Sequence, residues 1–306
     1  MRVAVTGATG TIGAALVREL RERDDEVTAL SRDAERASAR LGVPAERWSE
    51  PSQEPGPAAA LSGRDAVVHL IGETIAQRWS DEAKREIRES RVLGTRNLVA
   101  ALRALPPAER PRVLVSQSGA GVYGARDDER LDEAASVGDD FVARMVVEWE
   151  AEATAASELG MRVALTRTGP VLSEGGALGK MLPFFKLGLG GPVAGGQQYF
   201  PWVHLDDVVG AILFCLDTEA AAGPLNVTAP EPVTNQEFSR ALGRVLHRPA
   251  FAPVPGLAVK VLYGEMALIV TTGQRAVPAR LTELGYRFRR PELEDALRGA
   301  TGREEA

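Results

Sequence analysis

The residues "RVAVTGATGTIG", Arg2 to Gly13, decide how this chain is read. Val3 to Val5 form a β-branched apolar run that stops at a glycine, and a helical pattern leaves from about Thr11. In such a turn Gly7 permits the tight bend, Gly10 lets backbone approach a pyrophosphate, and Gly13 lets helix and strand pack closely. The free N–H groups and positive dipole end of the helix then suit phosphate. Strand before and helix after predict a dinucleotide-binding turn built from Gly7, Thr9, Gly10, Thr11, Ile12 and Gly13. The plainer alternative is a structural turn.

The second strand ends "VTALSRD", where an NAD-preferring protein carries an acid for the ribose 2′-hydroxyl. Ser31 and Arg32 stand there instead, a hydroxyl donor and a planar fork able to pair with a 2′-phosphate. NADP is therefore expected. In the competing reading Arg32 is a solvated arginine and Asp33 holds the ribose.

Further along, strand-like runs (Arg2 to Thr6, Glu26 to Leu30, Ala66 to Leu70, Arg112 to Ser116, Arg162 to Thr166) alternate with helical patterns. The helices are expected near Ile12 to Arg23, Asp81 to Leu105 and Asp139 to Leu159. This alternation predicts an α/β class: a Rossmann-like, doubly wound parallel sheet with a smaller C-terminal α/β substrate lobe. The nucleotide domain is placed at residues 1–170 with additions from about 196–222, and the substrate side at 171–306. "RWSEPSQEPGPAAALSG" reads as loop with at most a short strand near Trp48. "GGALGKMLPFFKLGLGGPVAGGQQ" reads either as a mobile segment over a pocket or as a helix and exposed turn. From Gly223 onward the strand "PLNVT", a helix from Asn235 to Leu246 and an apolar helix around Leu257 to Val270 make up the lobe. The tail "TGREEA" is expected to fray.

Bulk properties exclude several classes. The 306 residues are 44% hydrophobic and 25% charged, as in ordinary globular proteins. A net charge of −6 and no basic run argue against a nucleic-acid partner. Cys215 is the only cysteine, which favours a reducing, cytoplasmic location and leaves no zinc motif with His69, His204 and His247. No metal is expected. "VVGAILFCL" is too short to cross a bilayer, so no membrane role is expected.

The GxxGxxG spacing resembles that of the extended short-chain dehydrogenase/reductase superfamily, which includes sugar-nucleotide epimerases and dehydratases. "DAVVHLIGE" is similar to its fourth strand and following loop, which implies that Leu70, Ile71 and Gly72 line the cofactor. "SRVLGTRNLVAAL" resembles its NVxGTxxLL helix, with Arg91 in place of the asparagine and expected at the cofactor, and "WVHLDDVVGAI" resembles a motif of its second half. "IGETIAQRW", "GGALGKMLPFF", "GPLNVTAPEPVTNQEF" and "TTGQRAVPARLTELGYRF" narrow the likeness to the atypical "epimerase family protein" branch. The resemblance covers essentially the whole chain and implies NADP binding and a small C-terminal domain, with no substrate attached.

One pair is missing. The wider superfamily uses YxxxK, a tyrosine that moves the proton and a lysine that lowers its pKa and holds the ribose. Tyr123, Tyr199, Tyr263 and Tyr286 are the only tyrosines, and Asp127, Val203, Ala267 and Arg290 stand four positions after them. In the expected helix Met145 and Trp149 occupy the two places, and neither is a general acid near neutral pH. Core packing is their plainer role.

Other residues are candidate proton donors. "SQSGAGVYG" resembles the loop carrying the superfamily's catalytic hydroxyl, yet the usual position, counted back from Tyr123, is Gly119. Ser118 is off by one. Ser118 and Tyr123 are catalytic candidates, with loop support and packing as their plainer roles. Glu73 is a third if burial raises its pKa. Arg78 or Arg91 suits an anionic substrate, Trp79 reads as core or as a stacking ring, His69 as a satisfied buried histidine, and Asp206 and Asp207 as helix caps.

Two functions compete on these residues. One is an NADP(H)-dependent oxidoreductase or epimerase-like enzyme acting on a small hydroxyl or carbonyl substrate, with a homodimer as the assembly. The other is a non-catalytic NADP(H)-binding sensor or scaffold, motivated by the lost pair and the apolar "MLPFFKLGL".

Overall fold

Alternate residues of the apolar runs serve opposite faces of one sheet. Val3, Val5, Val68 and Val115 enter one core, while Ala4, Val67 and Leu114 enter the other. Burial on both faces is why these strands read as continuous hydrophobic runs rather than alternating ones. The computed structural model describes residues 1–303; the last three residues of the "TGREEA" tail lie outside them.

The strands are β1 (Arg2–Thr6), β2 (Glu26–Ser31), β3 (Ala45–Arg47), β4 (Ala66–His69), β5 (Val113–Gly119), β6 (Arg162–Thr168) and β7 (Gly223–Val227). They form one seven-stranded sheet in the order 3-2-1-4-5-6-7, every neighbouring pair parallel. Between β1 and β4 the order reverses, which opens a crevice at the carboxyl ends of those strands. This is the doubly wound architecture expected of a Rossmann-like α/β fold.

Helices α1 (Thr11–Glu22), α2 (Ala34–Leu41), α3 (Asp81–Ala104), α4 (Phe141–Thr154), α5 (Ala177–Lys186) and α6 (Leu205–Asp217) follow in chain order. Leu16 and Leu20 of α1 share a core with Ile212 and Leu216 of α6, and Leu98 and Leu102 of α3 join Ala153 of α4 across the sheet. Local chemistry fixes their starts. Ser80 Oγ accepts from the Ala83 N–H at the head of α3, with Asp81 and Glu82 in its first turn. Asp140 does the same for α4 through the Ala143 N–H.

The smaller lobe packs α5 against α7 (Asn235–Leu246) and α10 (Leu293–Ala300), with Leu178, Leu182, Trp202, Phe238, Leu242 and Leu297 inside. Thr234 and Glu237 close a reciprocal capping box on α7. The apolar stretch around Leu257 to Val270 is two helices, α8 (Gly256–Tyr263) and α9 (Ala267–Thr271), separated at Gly264 with φ +63°.

Two details differ from the sequence reading and two follow it. "PLNVT" pairs with β6 and belongs to the main sheet, because its Leu225 and Val227 fill the core beneath α6. Helix α2 was not expected, since only Ala37 and Leu41 of it are buried. The glycine-rich segment is a helix followed by a turn, with Gly188, Gly195 and Gly196 at positive φ. The strand near Trp48 lies just before it, at Ala45–Arg47. Among the described residues no helix is long and apolar enough to cross a membrane.

Candidate cofactor and active site

The turn between β1 and α1 leaves no room for a side chain at Gly7 or Gly13. A Cβ on Gly13 would lie 2.3 Å from the Gly7 carbonyl oxygen, and one on Gly7, at φ +64°, would lie 2.6 Å from that of Leu70. The Gly10 N–H donates to the Gly7 carbonyl at 3.0 Å and closes the turn. Gly10 is the N-cap of α1 and no side chain caps that helix. The first N–H groups of α1, from Thr11, Ile12 and Gly13, are thereby left for an anion. Leu70, Ile71 and Gly72 follow β4 on the neighbouring side of the crevice, with the Leu70 carbonyl and the Ile71 N–H lying against Gly7. The sequence reading brought these two loops together, and the fold does the same.

At the end of β2 the polar residues divide their roles. Asp33 caps α2, its Oδ1 accepting from the Arg36 N–H at 3.0 Å. Ser31 Oγ accepts from the Asp33 N–H at 3.3 Å, so its proton stays available. Arg32 is exposed. Arg40, one turn beyond Arg36, donates to the Thr9 carbonyl at 3.0 Å and brings a second guanidinium beside the glycine turn. Sequence reasoning missed Arg40. The signal was there in the helical spacing from Asp33, a capping residue followed by Arg36 and Arg40.

Beneath Gly72 lies Arg91, on α3. A Cβ on Gly72 would come within 2.9 Å of its Cζ. The guanidinium is buried, donates to the Ile87 carbonyl at 3.1 Å, and stands 5.5 Å from the centre of the Trp149 ring. Its Nε and the Trp149 Nε1 are buried without a partner among the described residues. Burial draws the Arg91 pKa down to about 10, opposed by the charge of Glu73.

The candidate proton donors Ser118 and Tyr123 are tied into a buried network. Ser118 is buried at the end of β5, its Oγ donating to Glu150 Oε1 at 2.6 Å. Glu150 takes both arms of Arg167, whose Nη1 donates to the Tyr123 hydroxyl at 3.1 Å. Tyr123 passes its proton to Asn226 Oδ1 at 2.7 Å and is fully enclosed. Burial raises the Tyr123 pKa despite the neighbouring Arg167. Ser118 and Tyr123 thus share one buried network with Glu150, Arg167 and Asn226, three residues the sequence reading did not select.

Glu73 is exposed, so the burial on which its candidacy rested is absent. Its Oε1 accepts from the Thr74 N–H, and its own N–H donates to Ser90 Oγ. Arg78 donates to the Val261 carbonyl at 3.1 Å and holds α8, while Trp79 is buried edge-on to Phe141. Met145 is core as well.

His69 is enclosed at the end of β4, with Thr6 Oγ1 2.8 Å from Nδ1 and Thr95 Oγ1 3.0 Å from Nε2. Burial pushes its pKa down to about 3. The cap of α6 is not an aspartate: His204 Nδ1 accepts from the Asp206 N–H at 3.1 Å. Asp207 instead accepts from the Arg289 and Arg290 N–H groups at 2.6 and 2.9 Å and ties down the chain before α10.

Together, a turn closed to side chains at Gly7 and Gly13, an uncapped helix start and two orphaned buried donors fit an extended dinucleotide lying across β2, β1 and β4. The chain belongs to the NAD dependent epimerase/dehydratase family, which it matches over residues 3–228, and residues 254–300 match a Domain of unknown function (DUF1731). It is 41% identical over 302 residues to the "Epimerase family protein SDR39U1 homolog, chloroplastic" of Arabidopsis thaliana, covering 97% of this chain and 86% of that one. The crystal structure of human epimerase family protein SDR39U1 (isoform2) with NADPH superimposes with a TM-score of 0.88 at 35% identity, covering 99% of both chains. A nucleoside-diphosphate sugar epimerase from Corynebacterium glutamicum gives 0.78 at 32% identity, covering all of this chain and 59% of that one.

Proposed function

We propose that this chain binds NADP(H) in the crevice and acts as an oxidoreductase or epimerase-like enzyme on a small hydroxyl or carbonyl substrate. One observation carries the coenzyme choice. Asp33, the residue that would select NAD, spends its carboxylate on capping α2, whereas Ser31 keeps its proton and Arg32 is exposed beside it. The 35% identical human relative seen with NADPH supports the same reading. When bound, the nicotinamide supplies or accepts a hydride. The backbone of Gly10 to Gly13 holds the pyrophosphate, Ser31 and Arg32 hold the 2′-phosphate, and Leu70 to Gly72 wall the cleft.

Proton transfer is the weaker half of the reaction. Ser118 and Tyr123 are committed to their buried network, so the proton passes through solvent, more slowly than through a dedicated tyrosine. A cytoplasmic location agrees with a single, buried cysteine. The test is calorimetric titration with NADPH and NADH, followed by NADPH oxidation against a panel of aldehydes, ketones and keto sugars. Tighter binding of NADPH and consumption with at least one member are expected; preference for NADH reverses the coenzyme choice.

A second reading, a non-catalytic NADP(H) sensor or scaffold, is favoured by one surface. Phe184, Leu187 and Leu189 are exposed at the end of α5, and Phe251 (81% exposed), Leu257 and Val261 lie on the segment through α8. The Arg248 bond to the Lys186 carbonyl, at 3.1 Å, joins the two segments. A protein that binds NADPH tightly and oxidises none of it with any panel member is this second kind.

A further inference from the structure

Two buried donors beside the crevice have nothing to donate to. Arg91 is 8% exposed and Trp149 4%, yet the Nε of one and the Nε1 of the other lack an acceptor among the described residues. Among the described residues the guanidinium makes one hydrogen bond, to the Ile87 carbonyl, and no carboxylate lies within ion-pair distance; Glu73 acts on it only through space. An uncompensated buried cation is strongly destabilising, and so is an orphaned N–H. Both costs fall if a ligand oxygen enters.

Their position identifies which oxygen. Thr95, one turn after Arg91 on α3, bonds His69 at the end of β4, which places Arg91 a turn beyond the strand's carboxyl end. The loop from Leu70 to Gly72 lies directly on it. Sheet order then gives the direction of the coenzyme. Its 2′-phosphate end belongs at β2, its pyrophosphate at the β1 turn, and the next strand along is β4. What lies over β4 is the nicotinamide half. Trp149 occupies the helix place where the superfamily's lysine stands, and Arg91 packs on its ring from the neighbouring helix. Arg91 thus restores a cation that α4 has lost.

We infer that the Arg91 guanidinium and the Trp149 indole N–H together grip the ribose hydroxyls at the nicotinamide end of the coenzyme, replacing the missing lysine from a different helix. This rests on the NADP(H) reading above. Both groups are pure donors from which hydroxyl oxygens can accept, and the ring holds the planar guanidinium in place. The 2′-phosphoadenosine half lies out of their reach. Arg91 and Trp149 are positioning residues for the coenzyme and leave proton transfer to other groups.

The halves of the coenzyme separate this role from a structural one. NADPH and adenosine 2′,5′-bisphosphate, which lacks the nicotinamide half, are titrated into the wild-type chain, Arg91→Met and Trp149→Phe. Each substitution is expected to weaken NADPH at least fivefold and to leave the bisphosphate within twofold, with Arg91→Lys recovering part of the loss. Trp149→Phe keeps a ring in the core and deletes only the orphaned donor and its surroundings, so it carries the test should Arg91→Met fail to fold. NADPH affinity within twofold of wild type in Trp149→Phe overturns the proposal, as does an equal loss for both ligands, which marks mere support of the loop. A wild-type chain that binds neither ligand removes the NADP(H) reading itself and this proposal with it.

Discussion

Arg167 and Glu150 form a two-armed ion pair inside the protein, with Nε to Oε1 and Nη2 to Oε2 both at 2.8 Å and side-chain exposures of only 7% and 12%. Burial alone would lower the arginine's pKa, but the bonds and charge of Glu150 outweigh it and raise it. The pair joins β6 to α4 and also anchors Ser118 on β5. Removing one partner leaves the other charged and unpaired, so Glu150→Gln is expected to cost about 3 kcal/mol or more in urea unfolding. A paired apolar replacement, Glu150→Leu with Arg167→Met, should recover part of that loss. A double variant no better than the single one shows that the network matters for shape rather than for charge balance.

Tyr123 extends the same network, donating to Asn226 and accepting from Arg167. Tyr123→Phe deletes the hydroxyl and leaves both partners unsatisfied, for a loss of roughly 1–3 kcal/mol in stability. NADPH affinity should stay within twofold. Once a substrate is in hand, folded Tyr123→Phe should keep most of its turnover, and a hundredfold fall at unchanged affinity would return Tyr123 to the list of proton donors.

His69 makes stability depend on pH in a defined direction. Its folded pKa is pushed down to about 3 by burial, against 6.5 for an ordinary histidine. Between those values the unfolded chain binds a proton that the folded chain does not. Stability therefore climbs with pH across this window and is level above it, with a slope of roughly 1.4 kcal/mol per unit from this group. The difference in unfolding free energy between wild type and His69→Gln, followed from pH 7 down to pH 5, should change in the wild type's disfavour as pH falls. A constant difference shows that the ring is not neutral when folded.

What was legible in the sequence follows from how local each signal is. Gly7, Gly10 and Gly13 announce their turn because steric demands on backbone are written in residue type, and Val3 to Val5 and Val67 to Val68 announce strands by composition. The strand Gly223–Val227 announces itself by composition but not the sheet it joins, since a partner 50 or more residues away leaves no mark on five residues. Helix α2 was invisible because it buries so little. The network of Ser118, Glu150, Arg167, Tyr123 and Asn226 draws on four separate elements and the loop after β5, and only the fold assembles it. The absence of YxxxK, by contrast, was certain from counting alone, though the buried Arg91 beside Trp149 was not.

The coenzyme preference gives the most direct check on the crevice. Asp33 is held at the N-cap of α2 by the Arg36 N–H, and Arg32 projects beside Ser31 at the end of β2. Arg32→Ala removes a charge-assisted contact to the 2′-phosphate and should weaken NADPH about tenfold to a hundredfold. NADH has no phosphate there, so its affinity should change by less than threefold. Raising salt should weaken NADPH more in the wild type than in Arg32→Ala, because the contact between exposed charges is screened. Equal losses for the two coenzymes would instead place Arg32 in support of the turn, with Arg40, whose bond to the Thr9 carbonyl fixes a guanidinium nearby, as the phosphate's partner.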